Sequence, residues 1–181
     1  MNKKIWIALL VLLGVCIAVY FWFAASGTKL SPPGEMVAAN GNLEVNVYYH
    51  RPSVRGRKIF GTKAENALQP YGNYWRLGAN APTSIEFNRD VTFNGKAIPE
   101  GKYRMYAIPG EDTFEIILNS EIGMSGAPEP DHSKDVLRTN VAVNHPSEIT
   151  EQLTIESHNT AAGIDLVIKW ADVELLVPVN P

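Results

Sequence analysis

Residues 5–25, IWIALLVLLGVCIAVYFWFAA, carry no charge and no proline. As a helix rising 1.5 Å per residue, this run spans roughly 31 Å, about the hydrocarbon thickness of a bilayer. Lys3 and Lys4 precede it, and only Lys29 follows closely. The positive-inside rule then predicts a cytoplasmic stub at residues 1–4, a signal anchor at 5–25 and a chain that lies outside beyond it. The expected location is the cytoplasmic (inner) membrane, single-pass, with the C-terminal domain in the periplasm of a Gram-negative cell. A cleaved signal peptide is the alternative, because Ala24, Ala25, Ser26 and Gly27 are small enough for a signal peptidase. Signal-peptide apolar cores run to about 7–15 residues, however, and this one is longer. Trp6 near one end and Tyr20, Phe21, Trp22 and Phe23 near the other resemble interfacial aromatic belts, which favours retention. A lipid anchor on Cys16 does not fit, since Val15 before it is bulky and the apolar run continues well past it.

About 150 residues remain, enough for one domain with its own core. With Lys3 and Lys4 set aside, 14 basic residues face 19 acidic ones, a balance that disfavours nucleic acid as a partner. The single cysteine lies in the anchor, so the outer domain has no disulfide, no thiol nucleophile and no thiolate metal ligand.

After a linker at 26–36 containing Pro32-Pro33-Gly34, the chain alternates repeatedly at period two. Leu43, Val45, Val47 and Tyr49 form one such set, Phe114, Ile116 and Leu118 another. Ile164, Leu166, Ile168 and Trp170, then Val173, Leu175 and Val177, complete the pattern. Each set puts apolar groups on one face of a strand, as a half-buried sheet requires. Asn94-Gly95 is a strong hairpin signal, and Ala171-Asp172 is expected to join the last two strands. Further strands are expected at 84–88, 138–144 and 152–157, with one helical turn near 63–68. Nine to eleven strands separated by turns predict an all-β domain over 37–181, a single antiparallel sandwich or jelly roll.

The segment 48–80, YYHRPSVRGRKIFGTKAENALQPYGNYWRLGAN, differs from the rest. Arg51, Arg55, Arg57, Lys58 and Lys63 fall within thirteen residues free of acids, followed by Tyr71, Tyr74, Trp75, Arg76 and Asn80. Guanidinium groups donate in a planar fork and aromatic rings stack, a combination suited to carboxylates, phosphates or sugars. Arg51, Arg55, Arg57, Lys58, Tyr71, Trp75, Arg76 and Asn80 are therefore the candidate ligand-binding residues. Alternatively, these arginines pair with acids of the same domain or charge an exposed sheet edge. Trp75 and Arg76 are adjacent, so on a strand they point to opposite faces, with Trp75 toward the core and Arg76 toward a cleft.

Other motifs fail. In Gly56-Arg57-Lys58-Ile59-Phe60-Gly61-Thr62-Lys63 threonine precedes lysine, the wrong order for a phosphate-binding loop. His50, His132, His145 and His158 show no local zinc-ligand spacing. The acidic loop 129–135 reads as an ordinary surface loop before it reads as a calcium site. Gly123-Met124-Ser125-Gly126 lacks the spacing of a nucleophile elbow. No metal or cofactor is expected.

Taken together, YHRPSVRGRKIFG (49–61), PYGNYWRLGAN (70–80), IPEGKYRMYAIPG (98–110), FEIILN (114–119) and DVLR (135–138) resemble a bacterial family, domain of unknown function 2911. The resemblance covers roughly residues 31–178 in the family's order. It implies an exported, mostly β protein and brings no established activity. Ala81-Pro82-Thr83 departs from the acid-Ala-Thr type of stretch expected after Gly-Ala-Asn, which puts any activity depending on that acid in doubt.

The leading functional expectation is a membrane-anchored, extracytoplasmic module that binds a small anionic or sugar-like ligand at the Arg/aromatic segment. One alternative is an enzyme using the same cleft, with Arg57 or Arg76 stabilising developing negative charge. Another is an interaction domain of the cell envelope, since Tyr, Trp and Arg dominate interface hot spots.

Overall fold

The computed structural model describes residues 3–123, 126 and 128–181. Met124 and Ser125, in the rejected nucleophile-elbow spacing, lie outside the described residues, as do Met1 and Asn2 of the N-terminal stub.

A single helix, α1, runs over Lys3–Leu30. Its Lys3–Trp22 portion has a mean hydropathy of 2.6 and is long and apolar enough to cross a membrane, as an anchor or a signal sequence would be. Strands follow as β1 (Pro33–Asn40), β2 (Leu43–His50), β3 (Phe60–Gly61), β4 (Gln69–Pro70) and β5 (Thr83–Phe87). Then come β6 (Val91–Phe93), β7 (Lys96–Ile98), β8 (Gly101–Ile108) and β9 (Thr113–Asn119). The last four are β10 (Asp135–Asn144), β11 (Thr150–Asn159), β12 (Ile164–Ala171) and β13 (Val173–Asn180).

The all-β, mostly antiparallel reading agrees with this architecture. Eleven strands form one sheet whose main path is β1-β2-β5-β8-β9-β10-β13-β12-β11, with β6 and β7 attached to β13. The path bends at β10, which pairs with β9 over most of its length and with β13 only at Val143 and Asn144. The two ends of the path meet. Asn40 Nδ2 donates to the carbonyls of Thr160 (2.8 Å) and Gly163 (2.7 Å), and Asn159 Nδ2 donates to that of Ala39 (2.9 Å). Inside the roll, the Tyr49 hydroxyl accepts from Ile155 N at 2.8 Å.

Period-two alternation is the cause. Leu43, Val45, Val47 and Tyr49 of β2 all turn inward, and so do Leu166, Ile168 and Trp170 of β12 and Leu175 and Val177 of β13. The Asn94-Gly95 turn takes φ of 49° and 77°, as a two-residue hairpin with right-handed strand twist requires. The anticipated turn near 63–68 is a short 3₁₀ helix at Lys63–Glu65.

Two details differ from the sequence reading. The 26–36 linker shrinks to Ser31 and Pro32, because Met36 and Ala38 already face the core and β1 pairs with β2 in full register from Pro33. Proline as a strand's first residue costs no ladder bond. Ile117, on the opposite face of β9 from Ile116, is also fully buried. At the end of this strand Asn119 Nδ2 donates to Asp131 O (2.9 Å) and Ser120 N to Lys134 O (3.0 Å), which ties the start of β10 to the end of β9.

Candidate functional site

The chain leaves β2 at His50 and enters a loop that is pinned by its backbone. Arg51 N donates to Pro32 O at 2.8 Å, Val54 N to Glu151 O at 2.7 Å, and Leu153 N to Pro52 O at 2.9 Å. A tight turn follows, closed by Arg57 N to Val54 O at 3.1 Å. Its central residues, Arg55 and Gly56, have φ of 51° and 67°, the sign a type I′ turn needs at both positions. Glycine takes that conformation freely; arginine does so at a steric cost. Arg57 then folds back, its Nε donating to Val54 O (3.0 Å) and its Nη2 to Ser53 O (2.6 Å).

A second loop, 76–80, lies against the first. Trp75 exchanges both backbone hydrogen bonds with Ala107, which fixes its side chain inward and turns Arg76 outward. Gly78 is required by close approach: a Cβ there would lie 2.9 Å from His50 O and 3.2 Å from Thr83 Oγ1. The loop is held by Thr83 Oγ1 donating to Leu77 O at 2.7 Å, and Arg76 Nη1 reaches Asn80 O at 3.3 Å.

Between the two loops is a cleft of about 310 Å³ whose lining includes Arg55, Arg57, Arg76, Asn80, Ser31 and Trp170. Trp170 belongs to β12 and forms the aromatic part of this lining. Behind it, Trp75 stacks on Trp170 with centroids 5.7 Å apart and planes 20° off parallel, and Phe60 meets both rings edge-on. No aspartate, glutamate or histidine lines the cleft among the described residues. No described carboxylate forms an ion pair with the guanidinium of Arg51, Arg55, Arg57 or Arg76, but the Glu151 carboxylate accepts from the backbone N of Arg55 at 2.9 Å. The lining is cationic, with Glu151 bonded to the backbone of the Arg55 turn rather than paired with a guanidinium.

Four of the eight sequence-selected residues, Arg55, Arg57, Arg76 and Asn80, therefore share this cleft. The other four lie elsewhere, each for a physical reason. Arg51 braces β2 against β11, its Nε donating to Leu153 O and its Nη2 to Thr154 Oγ1, both at 3.1 Å. Lys58 pairs with Glu65, whose carboxyl falls to about 2 through that contact first and then through bonds from Thr62. Tyr71 packs its ring against the core, and Trp75 is buried within it. Sequence reasoning missed Trp170 as a cleft residue; its alternation with Ile164, Leu166 and Ile168 marks a core position, and nothing local says that its ring also borders a cavity.

A second polar cluster lies on the outer face of β8 and β9. The Asp135 carboxylate, its side chain only 6% exposed, accepts from Asn119 Nδ2 (2.7 Å), Tyr106 Oη (2.9 Å) and Arg138 Nη2 (2.8 Å). Arg138 Nη1 also donates to Glu115 at 2.9 Å, and His132 Nδ1 sits 2.9 Å from the Tyr106 hydroxyl. Burial, and then the bond to Asp135, push the Tyr106 phenol well above its ordinary range, so it stays protonated and donates. This cluster is saturated with internal partners. Among the described residues no group of three or more His, Cys, Asp and Glu could hold a metal ion.

No curated protein and no solved structure matches the chain. One family model matches, described as "Protein of unknown function (DUF2911)", over residues 31–179. That match takes in the β domain up to residue 179 of β13, including both cleft loops and the Asp135 cluster, and leaves out residues 1–30 and 180–181. The chain belongs to the DUF2911 family.

Proposed function

We propose that this protein is a membrane-anchored, extracytoplasmic module that binds a small anionic ligand in the cleft between the 52–58 and 76–80 loops. The observation that carries this reading is the set of three arginines, Arg55, Arg57 and Arg76, around one cleft, none of whose guanidinium groups forms an ion pair among the described residues. A cation that the fold leaves without an ion pair is available to an incoming carboxylate or phosphate, and the planar guanidinium can bind either in bidentate fashion. Trp170, only 2% exposed, forms part of the cleft's floor and shapes the cavity without presenting a free ring face. The enzyme alternative draws less support, because the lining holds no Asp, Glu or His to act as general base among the described residues. Membrane engagement of α1 is supported by its length and by mean hydropathy of 2.6, its retention by an apolar run longer than a signal peptide's, and an outward-facing domain by Lys3 and Lys4.

Thermal unfolding of the full chain in neutral detergent tests the binding. Inorganic phosphate or a dicarboxylate at about 100 times its Kd stabilises by about 2.7 kcal/mol and raises the midpoint by several degrees. The shift disappears in the Arg57→Ala/Arg76→Ala double variant. A shift produced only by neutral sugars would transfer the site to sugar recognition, and no shift with any of these would overturn it. Protease protection in spheroplasts checks the topology: a protected β domain would overturn the outward orientation.

A further inference from the structure

The cleft and the exit of the apolar helix lie at the same end of the sheet. In the β1–β2 ladder, Pro33 pairs with His50, so the start of β1, where the chain arrives from α1, is next to the end of β2, where the arginine loop begins. Arg51 N bonds to Pro32 O, and Asn80 Nδ2 reaches Ser31 O at 3.4 Å. Ser31, the first residue after α1, itself lines the cleft. From residue 25, the end of the charge-free run, to residue 31 is six residues, about 9 Å along a helix. The headgroup layer on each side of a bilayer is about 5–8 Å thick. With α1 retained in the bilayer, covalent connection places the cleft end of the domain close to the headgroup layer of the leaflet from which α1 emerges.

Charge distribution favours the same arrangement. Acidic residues outnumber basic ones beyond the helix, yet the cleft lining contains none among the described residues. Against an anionic surface the domain as a whole is repelled and the cleft is attracted, so the cleft end turns toward the lipid.

Building on the anion-binding reading above, we infer that the ligand is the phosphodiester headgroup of an anionic phospholipid in the membrane that holds α1. The cleft then works as a headgroup clamp that fixes the β domain's orientation on the bilayer. Arg57, already braced by Val54 O and Ser53 O, is the fixed cation; Arg76, on the facing loop, closes on the phosphate from the other side.

The test uses the full chain in nanodiscs and reads the rate at which phenylglyoxal modifies each arginine, by peptide mass spectrometry. Arg89 is the internal reference. It follows Asn88, whose side chain accepts from Glu44 N at the far end of β2, about 25 Å from the cleft along an eight-residue strand. In discs containing phosphatidylglycerol at about ten times Kd, Arg55, Arg57 and Arg76 should react about tenfold more slowly than in phosphatidylcholine discs, with Arg89 unchanged. Equal slowing in both lipids would mean occlusion by the bilayer and would overturn the inference. So would slowing that includes Arg89, which signals general adsorption. A third arm adds inorganic phosphate to phosphatidylcholine discs. Slowing there without slowing in phosphatidylglycerol overturns the lipid assignment and leaves the anion site standing. No slowing in any arm overturns both.

Discussion

Arg57 and Arg138 are the same residue type in the same domain, and the fold treats them in opposite ways. Arg138 donates to two carboxylates, Asp135 and Glu115, within a cluster that also engages Tyr106 and Asn119. Arg57 donates only to carbonyls of its own loop, and the cleft it lines with Arg55 and Arg76 has no acid among the described residues. The first arrangement spends its electrostatics internally and can contribute to stability. The second leaves guanidinium charge without an ion pair in a concavity, where it is available to a ligand. Composition cannot separate the two, since both are arginines among aromatic residues; the position of the nearest carboxylate does.

The largest test of this contrast removes the centre of the paired cluster. Asp135→Ala leaves Arg138, Asn119 and Tyr106 without their shared acceptor, and denaturant unfolding should show a loss of about 3–5 kcal/mol. A loss below about 1 kcal/mol would mean that the cluster is no better compensated than the cleft. Next in size is a matched pair of truncations. Arg138→Ala should cost about 1–3 kcal/mol, because it strips charge-assisted hydrogen bonds from two carboxylates. Arg76→Ala should stay within about 0.5 kcal/mol while weakening anion binding. Equal costs would erase the distinction.

Arg55 sharpens the comparison further, because its φ of 51° places an arginine where asparagine or glycine is at ease. Arg55→Asn should raise stability by about 1 kcal/mol and lower anion affinity, the signature of a residue retained for its charge at some cost in backbone strain. A variant that is less stable than the parent would show that the side chain has a structural partner. The smallest effect concerns Lys58, the basic residue of this segment that does find an acid. Glu65 titrates at about 2 in the folded protein against an ordinary 4.5, mainly through Lys58. A depressed carboxyl contributes stability above its unfolded value, and the contribution fades as pH falls from about 4.5 toward about 2. Carboxyl chemical shifts followed by NMR should show this midpoint, and Lys58→Ala should return it toward the ordinary range.

Much of the fold was legible in the chain because its signals are local. Period-two alternation chose the inward faces of β2, β9, β12 and β13, and Asn94-Gly95 specified a hairpin that the positive φ at both residues realises. Alternation misread the outer face of β9, where Ile117 is fully buried, because burial on the second face depends on what the rest of the chain lays over it. The candidate site was half legible. An acid-free run of basic residues pointed to the right loops, but it could not tell Arg57, which lines the cleft, from Arg51, which braces β11 across a separation of about one hundred residues.

What the sequence by itself determined is the division into one long apolar helix and a β domain, the strands' inward faces and the concentration of arginine between residues 51 and 76. These depend on composition and on spacing along the chain. Only the tertiary structure decided which arginines lack an acid, that Trp170 rather than Trp75 lines the cleft, and that the cleft lies at the helix end of the sheet. Those facts depend on strand register and on which distant segments meet, and two residues a hundred positions apart acquire a common environment only when the sheet rolls closed.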